Sequence, residues 1–332
     1  MYARREIPLA SLAKERGGER TIKSKPQEDD LYRMRTLLSL LLLVGCMATP
    51  KQEAPRRNTS QARVPYDLAH PTAVFPLPPQ LIEISALTDV DSSTVACVQD
   101  EEAAVYFLSL KDGRIVRRVP FSVPGDFEGL TRVDSFFFAL RSDGLIHRLI
   151  IREDQTVVQD TFRLDLPNHN IEGLGYDEPG HRVLVSPKDF IKGSSEVRDQ
   201  RVIHAFDPKD VTHTPSIALT LSVQQVVADA TALGIPVPMR TKENGASVPA
   251  LKLRYSSVAV HPSSGHYYLL SAADRTLLIV DRNGRLVDLV NLDPDLLPKP
   301  EGITFLADQD LLLSSEGKGR DPVLVRYAYR PQ

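Results

Sequence analysis

Phe127-Glu128-Gly129-Leu130, Ile171-Glu172-Gly173-Leu174 and Pro300-Glu301-Gly302-Ile303 are three copies of one phrase: an acid, a glycine, then an aliphatic residue that opens a strand. Ile84-Ser85-Ala86-Leu87 and Ser256-Ser257-Val258-Ala259 fit the same frame more loosely. The key positions are 85, 128, 172, 256 and 301, so the spacings are 43, 44, 84 and 45 residues. A period near 44 is the length of one four-stranded propeller blade. The fold class expected is all-β, a five-bladed β-propeller, with six blades as the alternative.

The flanking pattern agrees. Each phrase is followed by short apolar runs separated by breaks: Thr94 to Val98, Val105 to Leu110 and Ile115 to Pro120 in the first unit, and Tyr267 to Leu270, Leu277 to Val280 and Leu286 to Val290 in the fourth. Such runs are too short for helices. Asp112-Gly113, Asp143-Gly144 and Asn283-Gly284 at the breaks suit tight hairpins. The last unit offers only Ile303 to Leu306, Leu311 to Ser314 and Val323 to Tyr329, so it is one strand short. Ala73 to Leu77 is expected to supply that strand, pairing with Val323 to Tyr329 and closing the ring without an open sheet edge. Within the gap of 84 residues, Val183 to Ser186, Val202 to Phe206 and Ser216 to Leu221 complete the third blade. Val223 to Leu233 has helical spacing, and Pro236, Pro238 and Gly245 mark a loop. Nothing there repeats the Glu-Gly phrase, which favours five blades with an insertion.

The chain has 332 residues, 42% of them hydrophobic and 25% charged, as in ordinary globular proteins. A formal net charge of −3 supplies no basic field for nucleic acid, and two cysteines make no disulfide framework. Residues 1–33 have mixed charge and no apolar period. They are expected to be a disordered extension, one that translation from Met34, the better start, would leave out. From Met34, Arg35 is a one-charge n-region, Leu37 to Val44 is an apolar core, and Leu43-Val44-Gly45-Cys46 matches a bacterial lipobox. That run is too short to span a bilayer. Residues 34–46 are therefore expected to be a lipoprotein signal peptide, with Cys46 acylated and holding the chain to a lipid bilayer. Met47 rather than Asp after the cysteine points to the outer membrane. Residues 47–64 are polar and Pro-rich, a flexible tether, and 65–332 are the propeller domain.

The first strand of each blade lines the central channel, so the key positions Ser85, Glu128, Glu172, Ser256 and Glu301 converge at one mouth. Glu83, two residues before Ser85, points to the same side. Second-strand ends return there with Asp100 and Glu101, Ser142 and Asp143, Lys188 and Asp189, Asp274, and Glu316. Crowded carboxylates either take up protons or gather a cation. Oxygen donors suit a hard cation, and Ca²⁺ takes six to eight oxygens. The other reading is that each Glu caps backbone amides of the neighbouring blade; the two are compatible.

Other chemistry is thinly represented. The sequence has no Gly-x-Ser-x-Gly, Walker loop, Cys-x-x-Cys or His-Glu-x-x-His. Asp89-Val90-Asp91 begins like an EF-hand loop but lacks the later ligands. Cys97, mid-strand, reads as a buried inert thiol, and Arg117-Arg118 as a solvated outer edge.

Leu81 to Leu87, Ala96-Cys97-Val98-Gln99-Asp100-Glu101, Gly125-Asp126-Phe127-Glu128-Gly129-Leu130, Leu140-Arg141-Ser142-Asp143-Gly144, Val260-His261-Pro262 and Pro300-Glu301-Gly302-Ile303 together resemble the SdiA-regulated (YjiK-like) family of bacterial envelope propellers. The resemblance covers about residues 65 to 330. It implies a five-bladed propeller distantly related to NHL-repeat propellers, a calcium site and no established enzymatic activity. Carried over, the metal ligands would be Glu83, Glu128, Glu172 and Glu301. Ala86 and Ser257 stand where the family prefers Gly, and the lipobox stands in place of its usual N-terminal membrane helix.

Two functions follow. One is a non-enzymatic, calcium-binding interaction module at the envelope, facing an unknown periplasmic or surface ligand. The alternative is a metal-dependent hydrolase of a lactone or ester, like the gluconolactonase-type propellers, or of a phosphoester, like phytases. The hydrolase needs a proton-handling residue beside the metal, for which His169 and Asp100 are the candidates. A phosphoesterase needs basic residues there, for which Lys188 and Arg141 are thin support.

Overall fold

The computed structural model describes residues 64–152 and 155–331. The expectations for residues 1–33, for the signal peptide and for most of the tether lie outside the described residues. Strand β1 (Ala73–Pro76) comes first. Blade 1 is β2 (Ile84–Asp89), β3 (Thr94–Gln99), β4 (Ala104–Ser109) and β5 (Ile115–Pro120). Blade 2 is β6 (Phe127–Val133), β7 (Phe136–Arg141), β8 (Leu145–Ile151) and β9 (Thr156–Arg163). Blade 3 is β10 (Ile171–Asp177), β11 (Arg182–Pro187), a short helix α1 (Ser195–Asp199), β12 (Gln200–Phe206) and β13 (Ser216–Ser222). An insertion follows, made of α2 (Val223–Ala232) and the hairpin β14 (Met239–Thr241) and β15 (Ser247–Pro249). Blade 4 is β16 (Ser257–Val260), β17 (Tyr267–Ser271), β18 (Thr276–Val280) and β19 (Leu286–Asn291). Blade 5 has β20 (Lys299–Phe305), β21 (Leu311–Glu316) and β22 (Val323–Tyr327).

Each blade is an antiparallel four-stranded sheet, and β1 is the outer strand of the fifth, in the order β1-β22-β21-β20. The register is Ala73 opposite Arg326, Val74 opposite Val325, Phe75 opposite Leu324 and Pro76 opposite Val323. The strand expected from sequence to close the ring does so. It is extended at both ends: Thr72 N donates to Arg326 O at 2.8 Å, Leu77 N to Pro322 O at 2.8 Å, and Arg330 N to Pro65 O at 2.8 Å. Five four-stranded sheets settle the blade count at five. The first strands meet in a ring, β2 to β6, β6 to β10, β10 to β16, β16 to β20 and β20 back to β2.

The core is not one volume but five, each a layer between two blades. Ala86, Val98 and Val105 of blade 1 pack on Phe127, Leu130 and Phe137 of blade 2. Leu140 and Ile146 of blade 2 meet Leu174 and Val185 of blade 3. Tyr268, Leu270 and Ile279 of blade 4 meet Ile303, Leu313 and Tyr327 of blade 5. Leu312 and Leu324 of blade 5 meet Val95, Cys97 and Tyr106 of blade 1. Inner strands are thus buried on both faces and read as continuous apolar runs, whereas outer strands such as β9 are mostly exposed or half-buried. The chain entry joins these layers: Val64 and Tyr66 lie in the layer between blades 4 and 5, and Leu77 and Leu81 in the layer between blades 5 and 1. Val64, assigned from sequence to the tether, is therefore part of the fold.

The insertion is a wedge rather than a sixth blade. Val226 and Ala230 of α2, with Ile235, Leu251 and Leu253, fill the layer between Leu219 and Leu221 of blade 3 and Val280 and Leu289 of blade 4. Ser222 caps α2 by accepting from Gln225 N at 3.0 Å. The returning segment is held by Asp274, whose carboxylate accepts from Lys252 N and Leu253 N, and by Arg201, which donates to Lys252 O and Leu253 O. Sequence reading expects only a loop after the helix; the β14–β15 hairpin and the short α1 are additions to it. Blades 3 and 4 are also riveted by Asp177, fully buried, which accepts from Arg182 at 2.9 Å and from Arg282 at 2.8 Å, while Arg182 donates on to Tyr267 Oη.

Candidate functional site

The repeated phrase is a β-bulge. In β2, β6, β10 and β20 the register slips at one residue, and those residues are Ser85, Glu128, Glu172 and Glu301. In the fourth unit Ser256 N donates to Leu270 O, while Ser257 pairs with the same Leu270. A bulge puts two residues opposite one and turns the extra side chain out of the ladder. Repeating it at the start of inner strands delivers the extra side chains to one mouth of the channel.

The glycine after each Glu is needed for closeness rather than for bending. Gly129, Gly173 and Gly302 do not have positive φ. A Cβ on Gly129 would lie 2.9 Å from Glu172 O, and one on Gly302 would lie 2.8 Å from Leu87 Cγ and 3.0 Å from Leu87 N. Adjacent inner strands approach so closely there that no side chain fits. Ala86 and Ser257 stand at the same place in the two looser copies.

Three of the four expected metal ligands are brought together. Glu128 has Glu172, Asp126 and Glu301 as its charged neighbours, together with Lys188. Glu172 and Glu301 are 2% and 3% exposed, so their charges are removed from water. Glu83 reaches the same mouth one step to the side, against Asp100 and Glu316. Asp100 is also influenced by Asp126. The backbone explains the grouping: Asp100 N donates to Glu83 O, Ser142 N to Asp126 O, and Lys188 N to Asn170 O, so each second-strand end lies beside a first-strand start.

Two lysines stand among these acids. Lys188 Nζ is 2.5 Å from Glu172 Oε1, and Glu301 and Glu128 are its next negative neighbours. Lys299 Nζ is 2.5 Å from Glu316 Oε1 and 3.2 Å from Glu301 Oε1. Sequence reading expects Lys188 at this mouth as a second-strand end and as weak support for phosphoester chemistry; it does not expect Lys299 there. The signal was present, since Lys299 precedes Glu301 by two residues, as Glu83 precedes Ser85 and Asp126 precedes Glu128. Ser256 Oγ donates to Pro300 O at 2.9 Å, linking blades 4 and 5, and its hydroxyl also supports the charged form of Glu301, whereas Asp274 is taken up by the insertion.

The electrostatics follow from burial and crowding. Burial, then Glu172, Asp126 and Glu301, push the Glu128 carboxyl up to about 9. Burial, then Glu83 and Asp126, push Asp100 up to about 6. Burial also raises Glu172 and Glu301, and the ammonium groups of Lys188 and Lys299 pull them back. Burial works against the charge on both lysines, and the carboxylates outweigh it and hold them raised. Even with this pairing, Glu172 Oε2 and Asp100 Oδ1 are buried with no hydrogen-bond partner. The mouth gathers Glu83, Asp100, Asp126, Glu128, Glu172, Glu301 and Glu316 around Lys188 and Lys299. It therefore has an excess of negative charge and unused oxygen donors, which is the donor set of a hard cation. As they stand, with the lysines among them, no three carboxylate, His or Cys groups among the described residues form a ready metal cage.

The remaining candidates lie elsewhere. His169 is exposed and lines a separate surface depression with Asp143, Arg163 and Asn168. Arg141 pairs with Asp143 at 2.7 Å, away from the lysines' acids. Cys97 is buried and its thiol is raised by desolvation, as an inert core residue should be. Arg117 and Arg118 lie on the outer strand β5 over the rings of Phe107 and Tyr106. Asp89 belongs to the opposite end of the channel, a cavity of about 470 Å³ walled by Leu87, Leu174, Val258 and Ile303 with Arg132 and Tyr176 at its rim. No described helix is long and apolar enough to cross a membrane.

No family model matches the chain, and no curated protein matches it in sequence. Among solved structures, the glutaminyl cyclase of Myxococcus xanthus is similar with a TM-score of 0.49 at 12% identity, over 79% of this chain and 96% of that one. A chain of the mitotic checkpoint complex is similar with a TM-score of 0.43 at 10% identity, over 89% of this chain and 100% of that one. At these values neither likeness informs the chemistry of this protein.

Proposed function

We propose that the protein is an envelope-anchored, non-enzymatic binding propeller whose carboxylate mouth takes up Ca²⁺. The observation that carries this reading is the crowding of Glu128, Glu172 and Glu301, with a buried Glu172 Oε2 left without a partner. A site that pushes Glu128 up to about 9 gains most when a cation replaces the proton. Glu128, Glu172 and Glu301 would hold the ion, with Glu83 contributing from the side. The lipobox at Leu43-Val44-Gly45-Cys46 supports attachment to a bilayer through acylated Cys46, with the outer membrane favoured by Met47. The resemblance to SdiA-regulated propellers supports both the cation and the envelope. The binding reading is favoured over a metal-dependent hydrolase because, of the two expected proton carriers, His169 lies in another depression, which leaves Asp100 alone at the mouth.

Thermal melts in EDTA and in excess Ca²⁺ test the reading. At a hundredfold over the dissociation constant, bound calcium adds about 2.7 kcal/mol of stability. A higher melting temperature in calcium is expected; identical temperatures in both would sink the cation site and leave the acids as blade-to-blade ties.

A further inference from the structure

Lys188 occupies the point on which three glutamates converge: its Nζ is 2.5 Å from Glu172 Oε1, with Glu301 and Glu128 as its next negative neighbours. Lys299, two blades further round the ring, touches both Glu316 and Glu301. Both enter from places that the fold reserves for the mouth, one from the end of β11 and the other from the start of β20. Their side chains remain 22% and 30% exposed, so each four-carbon stem has a way out to solvent. Glu172 and Glu301, by contrast, are held in bulges with tight glycines behind them and cannot follow.

We infer that Lys188 and Lys299 are built-in counter-cations of the mouth, which a divalent cation displaces. One ion of charge +2 enters and two ammonium groups of charge +1 leave, so the exchange keeps the compensating charge on Glu172 and Glu301, while the proton held by Glu128 is released to solvent as that carboxylate takes up the ion. This explains how a set of buried acids is kept in a folded protein before any ion arrives, since an uncompensated buried charge is strongly destabilising. It also makes the lysines set the affinity, because an incoming ion competes with them for the same oxygens. The inference rests on the reading of the mouth as a calcium site, and its test separates the two.

The full domain and its Lys188→Met and Lys299→Met variants, which keep the apolar stem and remove the charge, are titrated with Ca²⁺ by calorimetry at about pH 8, where protons compete less for the freed carboxylates. Each variant should melt lower than the parent in EDTA and bind Ca²⁺ roughly tenfold tighter, the effect of removing one partly buried like charge beside the ion. Parent binding with unchanged or weaker binding in both variants overturns the displacement and leaves the calcium site standing. No binding in parent or variants overturns the calcium site, and the displacement with it. A measurement on the parent alone guards against variants that fail to fold. Amine-reactive labelling read by mass spectrometry should modify Lys188 and Lys299 faster when Ca²⁺ is added, and unchanged or slower labelling, with calorimetric binding present, overturns the inference.

Discussion

Replacing Glu128 with glutamine should stabilise the cation-free protein. In the folded state the Glu128 carboxyl is pushed up to about 9 by burial and by Glu172, Asp126 and Glu301. In the unfolded chain it returns to the ordinary glutamate value near 4.3. A folded-state value above the unfolded one means that the native protein holds a proton that the unfolded chain has released. The sign is therefore a loss of stability as pH rises: none below the unfolded value, growing through the interval, and complete above about pH 9. At pH 7 the interval already traversed corresponds to about 3 to 4 kcal/mol, and the E128Q protein, with nothing to ionise there, escapes it. For a domain of this size about 2 °C accompanies each kcal/mol, so E128Q should melt about 6 to 8 °C above the parent at pH 7. The gap should close near pH 4.5 and widen toward pH 9, and groups common to both proteins cancel in the difference. Calorimetric melts of both proteins in EDTA across that range give the answer. In excess Ca²⁺ the order should narrow or reverse, because only the parent keeps the ligand. An E128Q protein no more stable than the parent at pH 7 in EDTA, or a gap that does not grow with pH, refutes the placement of Glu128 in a crowded, cation-seeking mouth.

Removing residues 64–78 should abolish cooperative folding of the whole domain rather than fray one end, because it strips β1 from blade 5 and takes Val64, Tyr66 and Leu77 out of two inter-blade layers, each worth about 2 kcal/mol or more; a truncated protein with the parent melting temperature would defeat the shared blade. Gly129→Ala places a methyl 2.9 Å from Glu172 O and should cost about 2 kcal/mol in denaturant melts, with a lowered calcium affinity because it shifts the strand carrying Glu172. Cys46→Ser, in a chain started at Met34, should leave an unprocessed precursor or move the protein out of the membrane fraction, and unchanged fractionation and mass would reject the lipid anchor.

The period and the hairpin dipeptides are local properties, and they carried the architecture. A blade is a sequence-contiguous unit, so its four strands, its turns at Gly113, Gly144 and Gly284 and its position in the ring are all written within about 44 residues. The closing strand was also legible, because a missing outer strand in the last unit is a deficit that only the chain's entry can fill. The acids Glu128, Glu172 and Glu301 were legible for the same reason, being one position of a repeat. What a linear reading could not supply was the company they keep. Lys188 and Lys299 lie far from each other in the chain and in different blades; each pairs with acids of its own blade, and only the closed ring brings both ammonium groups to bear on Glu172 and Glu301. The glycines of the repeated phrase mark the approach of neighbouring inner strands, a distance that exists only after closure. Nor could composition tell that residues after α2 form a wedge between blades 3 and 4, since Ile235, Leu251 and Leu253 acquire a hydrophobic surface to cover only when those two sheets are in place. Local pattern determined the blades and the carboxylates; the ring decided which charges meet, because electrostatic pairing and close packing depend on distance in space and not along the chain.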